Sequence, residues 1–369
     1  MKDGFSRPKL VVIAAGGTGG HMFPAAAFSQ AMQARGWRTM LMTDARGKRY
    51  ADGFPAQSVV EVPAATISGA NPVKMARAAW AIFAGVRAAQ QRFGAERPRL
   101  VAGFGGYPSV PALAAARLGS IPLLIHEQNA VLGRVNRLFA GGAQAVASGF
   151  ARLDRLPAKA MARHHLTGNP VRGSILEARA TAYAPPSAGG ALRVLITGGS
   201  QGAKLFGAVP PAAFAQLDAQ TRARLQITHQ VREEQIADVR AVYEAAGIAA
   251  ELSPFFRDMG ARLAQAHLVI ARAGASTVSE LAAAGRPAVL IPFAAAMDDH
   301  QTANAEGLAH AGACDVIAEA DFTPERLASL LAERLTDPEG LARRAAAAAR
   351  VGQPLAAEAL ADLAEKLAF

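Results

Sequence analysis

The run KLVVIAAGGTGGH, residues 9–21, joins an unbroken apolar segment rich in β-branched residues to a glycine loop, and the alanine-rich stretch Pro24 to Arg35 follows it. An apolar run bounded by glycines reads as a strand buried on both faces, so the order here is strand, glycine loop, helix. The same order returns at LRVLIT (192–197), GGSQGAK (198–204) and a helical stretch interrupted by Pro210 and Pro211. Shorter strands alternate with helical stretches in both halves: Thr39–Met42, Leu100–Ala102 and Leu123–His126 in the first, Gln226–His229, Leu268–Ala271 and Ala288–Ile291 in the second. Such alternation predicts an α/β chain with two doubly wound parallel sheets, each covered by helices on both faces. Ligands of open sheets gather at the carboxyl ends of the strands, which puts the expected active site in a cleft between two such domains. The segment TAYAPPSAGGAL (181–192) is aperiodic and rich in Pro, Gly and Ala, the composition of a linker. The expected domains are therefore 1–172 and 173–345, with a hinge between Arg172 and Gly190. Leu360, Leu363, Ala364 and Leu367 recur at helical spacing, so residues 346–369 are expected to hold an amphipathic helix packing back onto the body.

At 369 residues, 51% apolar and 18% charged, the chain has room for two hydrophobic cores and is too apolar for a disordered protein. Its single cysteine, Cys314, has no internal partner, and the apolar run Leu10–Ala15 is too short for a secretory signal, so a reducing compartment is expected. The best apolar stretch, Ala78–Val86, lies between Arg77 and Arg87 and falls far short of the ~20 residues of a membrane crossing. A net charge of +10 conceals an asymmetry. Residues 1–172 carry 22 basic against 7 acidic side chains, a net +15, whereas residues 173–369 carry 17 against 22, a net −5. An anionic partner is expected for the first half: nucleic acid, an anionic membrane surface or a phosphorylated substrate.

Gly16–Gly20 and His21 end a strand and open a helix, where backbone N–H groups and the helix dipole meet a phosphate or a polar sugar. The loop is not a dinucleotide fingerprint, because the third glycine of that pattern would fall at Met22, and Gly198–Lys204 lacks the phosphate-loop spacing. Each loop by itself serves equally well as a tight turn; two equivalent loops favour a ligand. His21 alone reads first as a helix-start residue. In ARAGASTVSE (271–280), Thr277 and Glu280 have the spacing of a capping box, and the same Glu280 is suited to receive both hydroxyls of a ribose. DDHQTAN (298–304) clusters polar residues after a strand, where a metal site would rest on two adjacent aspartates and one histidine alone. HEQN (126–129) and GFGGYPSVP (103–111) each end a strand, and four polar side chains straight after an apolar run favour the wall of a cleft. TGNPVR (167–172) ends in Arg172, which a rigid Asn-Pro turn aims either at a diphosphate or at solvent. KMARAAWAIFAGVR (74–87) mixes Lys74, Arg77 and Arg87 with Trp80 and Phe83, a pattern that suits an anionic lipid surface or ordinary core packing. At ~1 kcal/mol per basic residue, three give only weak, reversible attachment.

Taken together, GGTGGH (16–21), GGY (105–107), HEQN (126–129), GNPVR (168–172), GGSQGA (198–203) and GASTVSE (274–280) through DDHQTANA (298–305) resemble the MurG family of bacterial peptidoglycan glycosyltransferases, in order and over nearly the whole chain. The resemblance implies a GT-B architecture of two Rossmann-like domains. It implies inverting, metal-independent transfer of N-acetylglucosamine from UDP-N-acetylglucosamine to the 4-hydroxyl of undecaprenyl-pyrophosphoryl-N-acetylmuramoyl-pentapeptide, without a cofactor. The acceptor would lie on the first domain and the donor mainly on the second. Residue by residue, it puts Thr18, Gly19 and Gly20 beside the donor, Asn129 on its sugar, and Arg172 and Ser200 near the diphosphate. Phe256, Ala275, Ser276, Thr277 and Val278 would line the uracil pocket, with Glu280 on the ribose and Gln301 on the sugar hydroxyls. His300 departs from the pattern, since some relatives carry a second glutamine there. The resemblance further implies peripheral attachment at the cytoplasmic face of the inner membrane, in company with cell-wall and division machinery.

Displacement at an anomeric carbon needs a base for the acceptor hydroxyl and an anion site for the departing UDP. His21, His126 and Glu127 are the candidates for the base, and His21 is favoured because imidazole titrates near working pH. A UDP-N-acetylglucosamine 2-epimerase shares the two-domain plan and the donor, and would need no acceptor. A pI of 10.3 invites a nucleic-acid-binding reading, but aromatic residues are only 6% and no binding motif appears, so no nucleic-acid partner is expected.

Overall fold

Val11 and Ile13 enter one hydrophobic cluster while Leu10, Val12 and Ala14 enter another, as the alternation of side chains along a strand requires. These residues form β1 (Leu10–Ala14), buried along its whole length. The structure is a computed structural model describing residues 9–48, 51–66, 71–199 and 204–369. The chain divides into two units, Met1–Arg172 with Leu355–Phe369, and Gly173–Pro354.

In the first unit β1 sits inside a seven-stranded parallel sheet with β2 (Arg38–Thr43), β3 (Ser58–Glu61), β4 (Leu100–Gly103), β5 (Leu123–Glu127), β6 (Ala145–Ser148) and β7 (His164–Leu166), in the order β3-β2-β1-β4-β5-β6-β7. Val12 lies opposite Met40 on one side and Val101 on the other. Helix α1 (Gly19–Ala34) covers the Val11 face through Phe28 and Met32. Helices α2 (Pro72–Glu96) and α3 (Val110–Leu118) cover the opposite face through Ala89, Phe93, Ala112 and Leu113. The short helix α4 (Arg134–Ala140) follows β5. The residues α2 buries, Ala78, Gly85, Ala89 and Phe93, are mostly small, and a Cβ on Gly85 would run into the carbonyl oxygen of Pro63.

The second unit repeats the plan with β8 (Leu192–Thr197), β9 (Leu225–Gln230), β10 (Ala249–Ser253), β11 (Leu268–Arg272), β12 (Ala288–Ile291) and β13 (Cys314–Val316), ordered β10-β9-β8-β11-β12-β13 and parallel throughout. Leu192, Val194 and Ile196 pack with Phe206, Phe214 and Tyr243. Helices α5 (Gly173–Ala180), α6 (Met259–Gln265) and α7 (Ala275–Ala284) meet around Arg286, whose guanidinium is buried. It donates to the carbonyls of Ala178 and Thr181 at the end of α5, Leu263 and Ala264 in α6, and Ala284 and Gly285 at the end of α7. Helix C-termini leave carbonyls unpaired and carry partial negative charge, so one cation satisfies three of them. Helices α8 (His300–His310) and α9 (Pro338–Val351) also belong to this unit.

The expected boundary after residue 345 falls inside α9, which runs on to Val351 because Ala345, Ala347 and Ala348 keep its buried face intact. The chain then returns to the first unit as α10 (Ala356–Ala368), where Leu360, Ala361, Leu363 and Ala364 join the cluster of Phe28. Arg35 ties it down through Glu358 at 2.7 Å, Asp362 at 2.7 Å and Glu365 at 3.0 Å, and Trp37 Nε1 donates to Glu365 at 2.9 Å. Both sheets share one strand order, which reverses between β1 and β4 and again between β8 and β11. In open α/β sheets ligands bind where the order reverses, at the carboxyl ends of the strands.

Candidate active site

Four loops of the first unit leave the sheet at that edge. After β1, Gly17 takes a φ of +93°, which a side chain would strain, and Thr18 is the N-cap of α1 in extended conformation. Thr18 accepts the backbone N–H groups of His21 and Met22 on its carbonyl, but its side chain makes no cap. Gly19 is buried, with no room for a Cβ beside the Phe23 ring, and Gly20 is half-buried. After β4, Gly105 and Gly106 lie under the His21 ring: a Cβ on either would stand 3.4 Å from a ring carbon. The GGY motif is therefore the seat of an imidazole.

His21 is half-buried, and its Nδ1 lies 3.0 Å from Gln128 Oε1. Gln128 Nε2 in turn lies 3.0 Å from His126 Nδ1, and His126 Nε2 lies 3.0 Å from the carbonyl oxygen of Gly168. His126 is wholly buried, and burial lowers its pKa to about 4 despite the bond to Gly168. Both its ring nitrogens are engaged, so it stands inside the wall. Glu127 is buried too and accepts four bonds, from Asn129 N and Nδ2 at 3.0 and 3.2 Å, Gly133 N at 2.9 Å and Asn136 Nδ2 at 2.8 Å. It shapes the loop after β5 and orients Asn129. Of the three candidate bases, His126 and Glu127 are engaged within the wall, whereas His21 Nε2 takes no part in these bonds. Arg172 is half-buried, its guanidinium 4.8 Å from the centre of the Phe23 ring.

In the second unit, β8 runs into Gly198 and Gly199, and Ser200 lies outside the described residues. Gln230 organises this turn: it accepts from Thr197 Oγ1 at 2.6 Å and donates to the carbonyls of Gly199 and Pro254 at 3.1 and 3.2 Å. Helix α7 starts at Ala275, with Gly274 as its N-cap and no side-chain cap. The capping box expected over Thr277 and Glu280 is thus not formed, because the helix begins earlier and Thr277 already lies in its first turn. Ala275, Val278 and Glu280 are buried, Ser276 and Thr277 half-buried, and Ser276 Oγ is enclosed without a hydrogen-bond partner. The Phe256 ring is buried beneath the Arg262 guanidinium at 4.0 Å, which Glu251 and Asp258 hold in place. Gln301 lies in the first turn of α8 and accepts from Phe293 N at 3.0 Å, while His300 Nδ1 donates to the Met297 carbonyl at 2.7 Å. Buried Asn304 donates to the Ala273 carbonyl at 3.1 Å and so fastens α8 to the loop before α7.

Four residues at the carboxyl ends of the strands, two in each unit, were given no role of their own by the sequence. Gln128 links the two histidines, and Asn169 holds its carbonyl through Nδ2 at 2.8 Å. Arg272 pairs with Glu319 at 2.7 Å, and Glu319 also accepts from Ala294 N at 3.1 Å. Gln128 lay inside the polar run HEQN, Asn169 inside GNPVR and Arg272 inside ARAGASTVSE, while Glu319 belonged to no motif.

On α2, Asn71 caps the helix by accepting from Val73 N and Lys74 N at 3.0 and 3.1 Å. Lys74, Arg77 and Arg87 are exposed, and so are Trp80 at 70% and Phe83 at 55%, their rings 5.6 Å apart. The core-packing alternative fails for these two rings, because the small residues of α2 take the buried side. Among the described residues no helix is long and apolar enough to cross a membrane.

Residues 11–148 match the glycosyltransferase family 28 N-terminal domain and residues 193–367 the family 28 C-terminal domain. The chain is 54% identical, over 96% of both lengths, to the UDP-N-acetylglucosamine--N-acetylmuramyl-(pentapeptide) pyrophosphoryl-undecaprenol N-acetylglucosamine transferase of Maricaulis maris (strain MCS10). The chain belongs to the MurG family, within glycosyltransferase family 28. The crystal structure of Acinetobacter baumannii MurG superposes on this family member with a TM-score of 0.78 at 34% identity, covering 97% of this chain and 100% of that one. The GT-B fold expected from the motifs is the fold of this family. A UDP-GlcNAc 2-epimerase from Neisseria meningitidis bound to UDP-GlcNAc reaches a TM-score of 0.66 over 97% of this chain, but at 12% identity the likeness is one of fold alone.

Proposed function

We propose that this chain transfers N-acetylglucosamine from UDP-N-acetylglucosamine to the 4-hydroxyl of undecaprenyl-pyrophosphoryl-N-acetylmuramoyl-pentapeptide, with inversion and without a metal. The observation that carries the reading is 54% identity, over 96% of both chains, to a transferase named for that reaction. The geometry around His21 supports its mechanism. His21 Nε2 takes the proton of the acceptor hydroxyl as its oxygen bonds to the anomeric carbon, and the bond to the UDP oxygen breaks with its electron pair leaving on the diphosphate. In the second unit Ala275–Val278 receive the uracil, Glu280 the ribose hydroxyls, Ser200 the diphosphate and Gln301 the sugar. Phe256 contributes to the uracil pocket by backbone, its ring being covered by Arg262. In the first unit Thr18, Gly19, Gly20, Asn129 and Arg172 serve the polar groups of the substrates at the carboxyl edge of the sheet.

The exposed Trp80 and Phe83 among Lys74, Arg77 and Arg87 support peripheral attachment to an anionic membrane, the cytoplasmic face of the inner membrane, where a lipid-linked acceptor resides. The test is product analysis with labelled UDP-N-acetylglucosamine, with and without the lipid-linked acceptor, in buffer containing EDTA. Label entering the lipid fraction only with acceptor is the expected result. An epimerised nucleotide sugar formed without acceptor would overturn it. His21→Ala is expected to lower turnover by ~10²–10⁴-fold, the usual worth of a general base.

A further inference from the structure

We propose that Gln128 is a positioning residue for the transfer: its side-chain amide fixes the tautomer of His21, with the proton on Nδ1 and the lone pair on Nε2. The inference rests on the reading of His21 as the base.

The direction of the hydrogen-bond chain follows from its far end. The Gly168 carbonyl oxygen can only accept, so His126 Nε2, 3.0 Å away, must donate. A neutral imidazole that donates from Nε2 has its lone pair on Nδ1, and that nitrogen must then accept from the Gln128 amide at 3.0 Å. The second N–H of the same amide points to the His126 carbonyl oxygen at 3.2 Å. Turning the amide over would set Gln128 Oε1 against a carbonyl oxygen and a ring lone pair, two acceptors. Oε1 therefore faces His21, and His21 Nδ1 at 3.0 Å must be the donor. A backbone carbonyl thus sets the protonation of an imidazole two side chains away.

The parts of this chain are held independently. Asn169 Nδ2 donates to the Gln128 carbonyl at 2.8 Å, Asn136 Nδ2 to the His126 carbonyl at 3.1 Å, and the His126 ring lies 5.2 Å from that of Phe104. Gly105 and Gly106 seat the His21 ring, so its orientation is set as well as its tautomer. Burial keeps His126 neutral through the working pH range, which preserves the direction of the chain. In the serine protease triad a buried aspartate does this for its histidine. Here a neutral amide does it, orienting the base without placing an anion beside it.

The experiment uses the full chain with ¹⁵N-labelled histidine. In the wild-type protein at neutral pH, His21 should show a protonated Nδ1 and an unprotonated Nε2. Gln128→Leu should move His21 towards the other tautomer and lower kcat on the order of 10²-fold, the cost of a mispositioned catalytic group, with KM for UDP-N-acetylglucosamine within about twofold. Gln128→Glu keeps an acceptor for His21 Nδ1–H but sets its other oxygen against the His126 carbonyl and ring lone pair; it should retain the wild-type tautomer signature at a cost in stability, and thermal unfolding of both variants, read beside kcat, guards against a folding defect. A wild-type His21 protonated on Nε2, or a leucine variant with unchanged signature and kcat, overturns the proposal. His21→Ala with near-normal turnover overturns the base reading and the role of Gln128 with it. That failure is told apart by a wild-type signature still showing Nδ1–H.

Discussion

Acidification should weaken the first unit through a side chain that never meets solvent. His126 has a pKa of about 4 in the folded chain against an ordinary 6.5, because burial penalises the imidazolium. A protonated Nδ1 would also direct its N–H at the Gln128 amide that now donates to it. Between these two values the unfolded chain binds a proton that the folded chain does not. The stability is therefore complete above pH 6.5 and is lost as pH falls towards 4. The difference corresponds to roughly 3 kcal/mol in all, with a slope a little above 1 kcal/mol per pH unit near pH 5.5. Urea unfolding at intervals from pH 7 to pH 4.5, on the wild type and on His126→Gln, reads this directly. The variant is expected to be less stable at neutral pH but to lose stability less steeply on acidification. His229 in the second unit, lowered by burial to about 3, contributes with the same sign in both proteins and cancels in the difference of slopes. Equal slopes for the two proteins between pH 5 and 6.5 would refute the reasoning.

Gly85→Val should destabilise the first unit by about 1–3 kcal/mol, because even its Cβ meets the Pro63 carbonyl and α2 must shift; chemical denaturation measures it. Trp80→Ala combined with Phe83→Ala should weaken binding to anionic vesicles about tenfold or more while changing the unfolding free energy by less than ~0.5 kcal/mol per site, since both rings are exposed. Glu280→Gln should raise the Kd for UDP-N-acetylglucosamine about 10- to 100-fold, the worth of a charge-assisted hydrogen bond, with a much smaller effect on thermal unfolding. A variant that unfolds readily yet keeps donor affinity would return Glu280 to a structural role.

The central strands were legible because they are rich in Val, Leu and Ile: β1 and β8 lie where the glycine loops announce them. The edge strands β3 and β10 are half-exposed and carry no clean alternation, and β6, though buried, reads AVAS, whose small residues give little strand signal. For α2 the periodicity could not say which apolar residues face inward, because glycine and alanine, the residues that do, carry little hydrophobic weight. The HEQN run signalled a demanding hydrogen-bond environment, but what it demanded depends on Gly168, some forty residues further along the chain. Likewise Thr277 and Glu280 have capping-box spacing, and only the start of α7 at Ala275 shows that the cap is elsewhere.

The return of α10 to the first unit sets an order on synthesis. Leu360, Ala361, Leu363 and Ala364 complete the cluster around Phe28, so until they are made that side of α1 and β4 is uncovered. It stays so while residues 173–354 are made, a wait on the order of ten to forty seconds at roughly 5–20 residues per second. The second unit, continuous in sequence, has all its parts first. The unit begun first is therefore the one finished last, and during that interval its apolar side stays open.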